Sequence, residues 1–198
     1  MPFCYICGLP QGESVVCEKC LTTPPVYKEL RSWLAFEGAI RKALHGVKYR
    51  RNFGMGEQLA FEILPFTKGL NWDDVDLAVP VPLGKERYME RGYNQVSSFA
   101  RPLALAMGWK FYPQALKRVK ETQSQVELSA VERVANVEDA FVAEDRVVNG
   151  KSVLVLDDVS TTGATLNSCA DALISGGAKS VYALTIARAL PHHGLRTI

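Results

Sequence analysis

Two segments of this 198-residue chain carry residue types at spacings that could do chemistry. One is VLVLDDVSTTGAT at 153–165. An apolar run ends in two acids, Asp157 and Asp158, and Val159, Ser160, Thr161, Thr162, Gly163, Ala164 and Thr165 follow. A short loop of this kind gathers backbone N–H groups, hydroxyls and the start of a helix around one point. Unpaired amides and the helix dipole both favour an anion there, so the pattern suits a phosphate. Gly163 allows close backbone approach. Two carboxylates do not face a phosphate themselves. They suit the vicinal hydroxyls of a sugar, or a share in holding Mg2+. Together these features describe a binder of ribose 5-phosphate.

The other segment holds Cys4, Cys7, Cys17 and Cys20, two C-x2-C pairs separated by nine residues. Each pair turns two sulfurs to one side, and two pairs complete a closed, tetrahedral Cys4 site of the structural zinc kind. Gly8 follows the first pair, where a knuckle turn favours a residue tolerant of positive φ. A thioredoxin-type redox pair would not need two motifs, and a pair of disulfides is the main alternative. It fits poorly with an N-terminus, MPFCYICG, that has neither a basic region nor an apolar one, so that no secretion signal is expected. About 25 residues cannot build a core, so the metal is expected to hold this piece together. Cys169 stands apart, in the apolar series Leu166, Cys169, Ala170, Leu173, Ile174, and reads as a small buried hydrophobe.

Two rival phosphate motifs fail. Gly150-Lys151-Ser152 lacks the glycine five residues upstream that a P-loop needs, and it precedes a strand instead of following one. Gly54-x-Gly56 lacks its third glycine and a preceding strand. No Ser-His-Asp set is evident. His45 lies near a basic run, and His192 and His193 sit in a Pro-flanked tail read as solvent-exposed.

The elements that must position these residues alternate. Strands are expected at 75–81, 111–116, 152–156 and 179–187, and helices at 39–47, 54–64, 93–107 and 165–175, with a break or kink at Pro102. Residues 117–137 are polar and poorly periodic and read as a mobile loop with some helix. Strands alternating with helices imply a mainly parallel sheet covered on both faces, with the ligand at the carboxyl ends of the strands. The run at 153–156 is apolar on both faces, as in a central parallel strand.

Composition is globular, with 47% apolar and 22% charged residues. No apolar run approaches the roughly 20 residues of a membrane helix, so no membrane insertion and a cytoplasmic location are expected. The net charge is +2, but 14 Lys/Arg stand against 7 Asp/Glu between Arg41 and Lys120. A basic middle of this kind could serve a phosphate ligand or a nucleic acid.

The segment 153–165 resembles the phosphoribosyl pyrophosphate (PRPP) motif of type I phosphoribosyltransferases. The whole chain resembles the ComF family, through the Cys4 knuckle, VPVPL at 79–83 with RGYNQ at 91–95, Thr122, Gln125 and Leu128 with Arg133 and Asn136, and DDVSTTGAT. The resemblance implies a type I phosphoribosyltransferase-like α/β domain over 26–198, behind a zinc module over 1–25. It implies that Asp157 and Asp158 meet the ribose hydroxyls and that Thr161 to Thr165 cradle the 5-phosphate. Val81-Pro82-Leu83 would form the pyrophosphate loop, and Lys120 to Gln125 part of a closing hood. Arg87 and Arg91 follow the pyrophosphate loop and are candidates for the diphosphate, with plain surface as the alternative. Zn2+ would be structural, and Mg2+ would accompany PRPP. The family is associated with uptake of transforming DNA, near single-stranded DNA and a helicase-like partner.

One residue departs from the 6-oxopurine enzymes, which carry an Asp base where this chain has Thr161. Two function classes therefore stay open. In one, the chain is a phosphoribosyltransferase, with Asp157 and Asp158 positioning PRPP. In the other, the pocket is regulatory and the work is contact with DNA and partners, through the knuckle and Lys48-Tyr49-Arg50-Arg51.

Overall fold

The computed structural model describes residues 3–12, 15–49, 52–120 and 140–190. Its centre is a five-stranded sheet in which every neighbouring pair is parallel. The strands are β1 (Glu29–Ala35), β2 (Leu77–Pro80), β3 (Lys110–Phe111), β6 (Ser152–Ser160) and β7 (Ser180–Arg188), in the order β1-β7-β6-β2-β3. β4 (Leu116–Arg118) and β5 (Phe141–Ala143) form a separate antiparallel pair.

The alternation of side chains along β6 builds two cores. Val153 and Val155 join Leu166, Cys169, Ala170 and Leu173 of helix α7 (Ala164–Ser175) on one face. Leu154 and Leu156 join the other face. There α2 (Gly38–Tyr49), α3 (Phe53–Lys68) and α5 (Gln95–Met107) supply Leu44, Ile63, Phe99 and Leu103. Cys169 is fully buried, and burial pushes its thiol well up, as fits a packed apolar residue.

Several elements differ from the expectation drawn from sequence. The region 111–116 is not one strand. β3 ends at Phe111 on the main sheet, and β4 begins at Leu116 in the hairpin. α5 runs through Pro102 without ending. Buried Phe99, Ala100, Leu103 and Ala104 on either side hold the helix together despite the lost N–H. β6 does not stop at the acids but continues through Ser160, pairing with β7 as far as Arg188. α1 (Glu18–Thr22), β1, α4 (Lys85–Arg91), β5 and α6 (Asp145–Val148) were not expected. Of the stretch 117–137, the described part forms β4 and leads to Lys120; residues 121–137 lie outside the described residues. Among the described residues, no helix is long and apolar enough to cross a membrane.

Candidate functional site

The two acids leave β6 on opposite faces. Asp158 continues the Leu154–Leu156 side, toward α2 and α5. It is 6% exposed, and its carboxylate accepts from Lys48 Nζ at 2.9 Å and from Gln95 Nε2 at 3.1 Å. Asp157 continues the Val153–Val155 side, toward α7, and is half-buried. Its Oδ1 accepts from the Asp158 backbone N–H at 2.8 Å. Burial, with the charge of Asp158 beside it, pushes the Asp157 carboxyl up to about 7. That N–H, Lys48 and Arg118 pull the other way. One acid is thus paired with a cation of the same chain, and its neighbour titrates near neutrality.

Thr161, Thr162 and Gly163 make the turn from β6 to α7. Gly163 has φ +82°, and a Cβ there would lie 3.1 Å from the Tyr27 hydroxyl. The backbone conformation favours glycine, and a Cβ would be tight against Tyr27. The Thr162 Oγ1 accepts from the Ala164 N–H at 3.3 Å, and the Thr162 carbonyl accepts from Lys19 Nζ at 3.3 Å. Ser160 is 3% exposed, and its hydroxyl has no partner among the described residues. The first turn of the 12-residue α7 opens on this loop, so its free amides face the same region.

The expected pyrophosphate loop follows β2. The Val81 N–H donates to the Leu156 carbonyl, which ties the loop to β6. The Val81 carbonyl accepts from Asn94 Nδ2 at 2.9 Å. Asn94 also caps α5, its Oδ1 accepting from the Val96 N–H. Arg91 turns toward Gln95, with Nη1 donating to Oε1 at 2.8 Å, and lies over the Tyr49 ring at 5.3 Å. Arg87 is half-buried on α4. RGYNQ therefore does more than supply an arginine. Arg91 steadies Gln95, Gln95 holds Asp158, Asn94 holds the loop, and the Tyr93 hydroxyl donates to the Val47 carbonyl at the end of α2.

Sequence reasoning missed the roles of Gln95, Asn94 and Lys48. RGYNQ was a signal for the first two, since its amides directly follow Arg91. Lys48, expected on a DNA-facing surface, has its ammonium on Asp158 instead. Tyr49 is exposed and packs against His45 at 4.4 Å between ring centroids. Arg50, Arg51, 121–125 of the hood, Thr122, Gln125, Leu128, Arg133, Asn136, His192 and His193 lie outside the described residues.

At the N-terminus the sulfurs of Cys4, Cys7, Cys17 and Cys20 all lie within 4.8 Å of one another, with no disulfide. A Zn–S bond of about 2.3 Å puts the corners of a tetrahedron about 3.8 Å apart. The sulfurs of Cys7 and Cys17 are 3.7 Å apart. The backbone N–H groups of Cys7 and Cys17 point at Cys4 Sγ, at 3.5 and 3.4 Å. Burial works to raise the Cys4 thiol, but these N–H groups and that of Ile6 outweigh it and bring it to about 6. The donor set is a soft, closed one that could hold a zinc ion.

The chain is 33% identical over 192 residues to DNA utilization protein YhgH of Salmonella typhi, covering 94% of this chain and 84% of that protein. The chain belongs to the ComF family. It is also 28% identical over 192 residues to competence protein ComFC of Bacillus subtilis (strain 168), covering 93% of this chain and 77% of that one. A family profile described as phosphoribosyl transferase domain matches residues 98–193, a span that includes β6, the loop and α7. A crystal structure of adenine phosphoribosyltransferase matches with a TM-score of 0.42 and 20% identity, covering 72% of this chain and 74% of that one.

Proposed function

We propose that the carboxyl end of β6 binds PRPP with Mg2+, and that the chain acts in the handling of incoming DNA, as its relatives' names suggest for them. The observation that carries the reading is the juxtaposition at one strand end. Two carboxylates are followed by a glycine turn into a helix, opposite a second loop fixed to the same strand through Val81. Residues 161–165 would take the 5-phosphate on backbone amides and hydroxyls. Asp157 and Asp158 would accept from the ribose hydroxyls and, with the ligand, hold Mg2+. That ion would neutralise diphosphate charge when bound. Val81 and Pro82 would face the diphosphate, and Lys48 and Gln95 hold the Asp158 carboxylate in place. The knuckle would carry a structural zinc.

Nothing in this arrangement supplies a general base of the Asp kind at Thr161. Turnover would rest on positioning and electrostatics, with diphosphate leaving as charge develops on the ribose. The relatives' names support the regulatory alternative equally, in which the occupied pocket adjusts contact with DNA.

Calorimetry with Mg-PRPP tests the site. Asp157→Ala with Asp158→Ala should remove charge-assisted hydrogen bonds of about 1.5–3 kcal/mol each, a loss of at least about tenfold in affinity. Ribose 5-phosphate should compete, and free diphosphate should compete less well. An unchanged affinity in the double variant would reduce the segment to a buried strand and a turn.

A further inference from the structure

Asp158 stands at the strand end already paired, and the pairing is one-sided. Lys48 Nζ lies 2.9 Å from its Oδ2, and Gln95 Nε2 donates to the same oxygen at 3.1 Å. Among the described residues no donor meets Oδ1. The side chain keeps 8% of its surface exposed. Both donors are fixed from behind. Arg91 Nη1 donates to Gln95 Oε1 at 2.8 Å, so the Gln95 amide turns its NH2 end, and not its oxygen, toward Asp158. Lys48 sits in the last turn of α2, which is fastened at the residues on either side of it. The Tyr93 hydroxyl donates to the Val47 carbonyl, and the Arg91 guanidinium lies over the Tyr49 ring.

Asp157 has no such partner at contact distance. Its Oδ1 accepts only from the neutral Asp158 N–H. A sugar phosphate is itself an anion, so two adjacent carboxylates can meet its hydroxyls only with positive charge beside them. A divalent ion can supply that charge, and so can a side chain. The Lys48 ammonium is a compact point charge on a flexible stem. It occupies Oδ2, the position that a coordinated ion would share, and it leaves Oδ1 to accept from a hydroxyl.

We propose that Lys48 is a positioning residue for ribose recognition, acting through Asp158 in the place of a divalent ion, so that the sugar and its 5-phosphate are bound without Mg2+. Mg2+ is then needed only for a ligand that brings a diphosphate. Arg91 belongs to the same device one step further back, because it sets which end of Gln95 faces the carboxylate. This inference rests on the reading of the strand end as a ribose 5-phosphate site, and it adds which group of the chain makes that site work.

Calorimetry on the zinc-loaded full chain, in buffer freed of other divalent ions, tests it with ribose 5-phosphate and inorganic phosphate. The wild type should bind ribose 5-phosphate without Mg2+, and added Mg2+ should change the affinity by less than about threefold. Lys48→Met should weaken ribose 5-phosphate about tenfold or more in the absence of Mg2+, and millimolar Mg2+ should return most of that loss by taking the place of the ammonium. Lys48→Arg, which keeps the charge, should stay close to the wild type. Inorganic phosphate, which has no sugar hydroxyl, should bind wild type and Lys48→Met alike. Circular dichroism verifies that both variants are folded, and the wild-type response to Mg2+ needs no variant at all. Ribose 5-phosphate that binds the wild type only with Mg2+ overturns the proposal. So does a Lys48→Met affinity equal to the wild type, or a loss that Mg2+ does not relieve, which would reduce Lys48 to a structural contact. An equal loss for inorganic phosphate also overturns it, since Lys48 would then be a general attractor of anions. Ribose 5-phosphate that fails to bind the wild type with or without Mg2+ overturns the strand-end reading itself, and this inference with it.

Discussion

The knuckle and the end of β6 both crowd acidic groups into the protein interior, and they manage the repulsion differently. In the knuckle, four sulfurs converge and backbone N–H groups point at Cys4, while a cation of the chain beside them, Arg188, gives a hydrogen bond to the Cys7 carbonyl. Burial pushes the Cys7 thiol up, so the cluster resists ionising together without a cation from outside. At the strand end, Lys48 supplies the cation from within the chain, and Gln95 adds a neutral donor. A region that imports its counter-charge can be switched off by chelation. A region that carries its own can be loosened but not emptied.

The contrast can be broken from the metal side first. Structural zinc sites contribute about 10–16 kcal/mol of apparent binding free energy in small modules. Cys17→Ser, or a strong chelator, should therefore unfold the knuckle while the two sheet cores persist. Limited proteolysis should cut before β1, and elemental analysis should fall from about one zinc per chain to none. Loss of the sheet signal together with the metal would show that the two regions fold as one.

The acids make the next largest prediction. Asp157 has its folded pKa raised, so the folded state holds a proton that the unfolded state has released. Stability on this account is greatest below about pH 4, the unfolded carboxyl value, and falls as pH rises toward about 7. Asp157→Asn removes the titration. Its urea midpoint should exceed that of the wild type at pH 8 by an amount worth on the order of 2–4 kcal/mol, and the gap should shrink at pH 5. Equal gaps at both values would mean that Asp157 is ionised throughout.

Lys48→Met gives the smallest effect. It leaves Asp158 held by Gln95 alone and should cost about 1–3 kcal/mol at neutral pH. Lys48→Met with Asp158→Asn should recover most of that loss, since the unpaired charge is then gone. Additive losses in the pair would show that the ion pair contributes little.

The amino-acid sequence makes some of these regions legible and hides others, for physical reasons that differ by region. The knuckle can be read because metal geometry fixes ligand spacing along the chain. The β6–α7 unit can be read because a two-sided apolar strand, a glycine turn and a helical apolar series are all local patterns. β1 cannot be read. Its residues Glu29, Arg31 and Ser32 look like an exposed segment, yet Arg31 is 8% exposed and pairs with Glu29 at 2.9 Å. Its strand character comes from pairing with β7, some 150 residues away in sequence. The partition of the two acids is equally hidden. It depends on β6 keeping its alternation through Ser160, and on α2 and α5 arriving on one side with Lys48 and Gln95. Long-range placement of this kind leaves no periodic trace.

β1 also closes one margin of the sheet, and its outer side is not bare. The Leu30 N–H donates to the Ile6 carbonyl at 2.7 Å. Gly8 lies so close to the Leu30 carbonyl that a Cβ there would come within 2.6 Å of it. The cysteine module therefore caps a strand that would otherwise offer unpaired backbone groups to another chain. Loss of an ion held by the four cysteines would have a consequence beyond local melting. It would uncover a sticky border, and chains without the ion should join margin to margin and drop out of solution as their concentration rises.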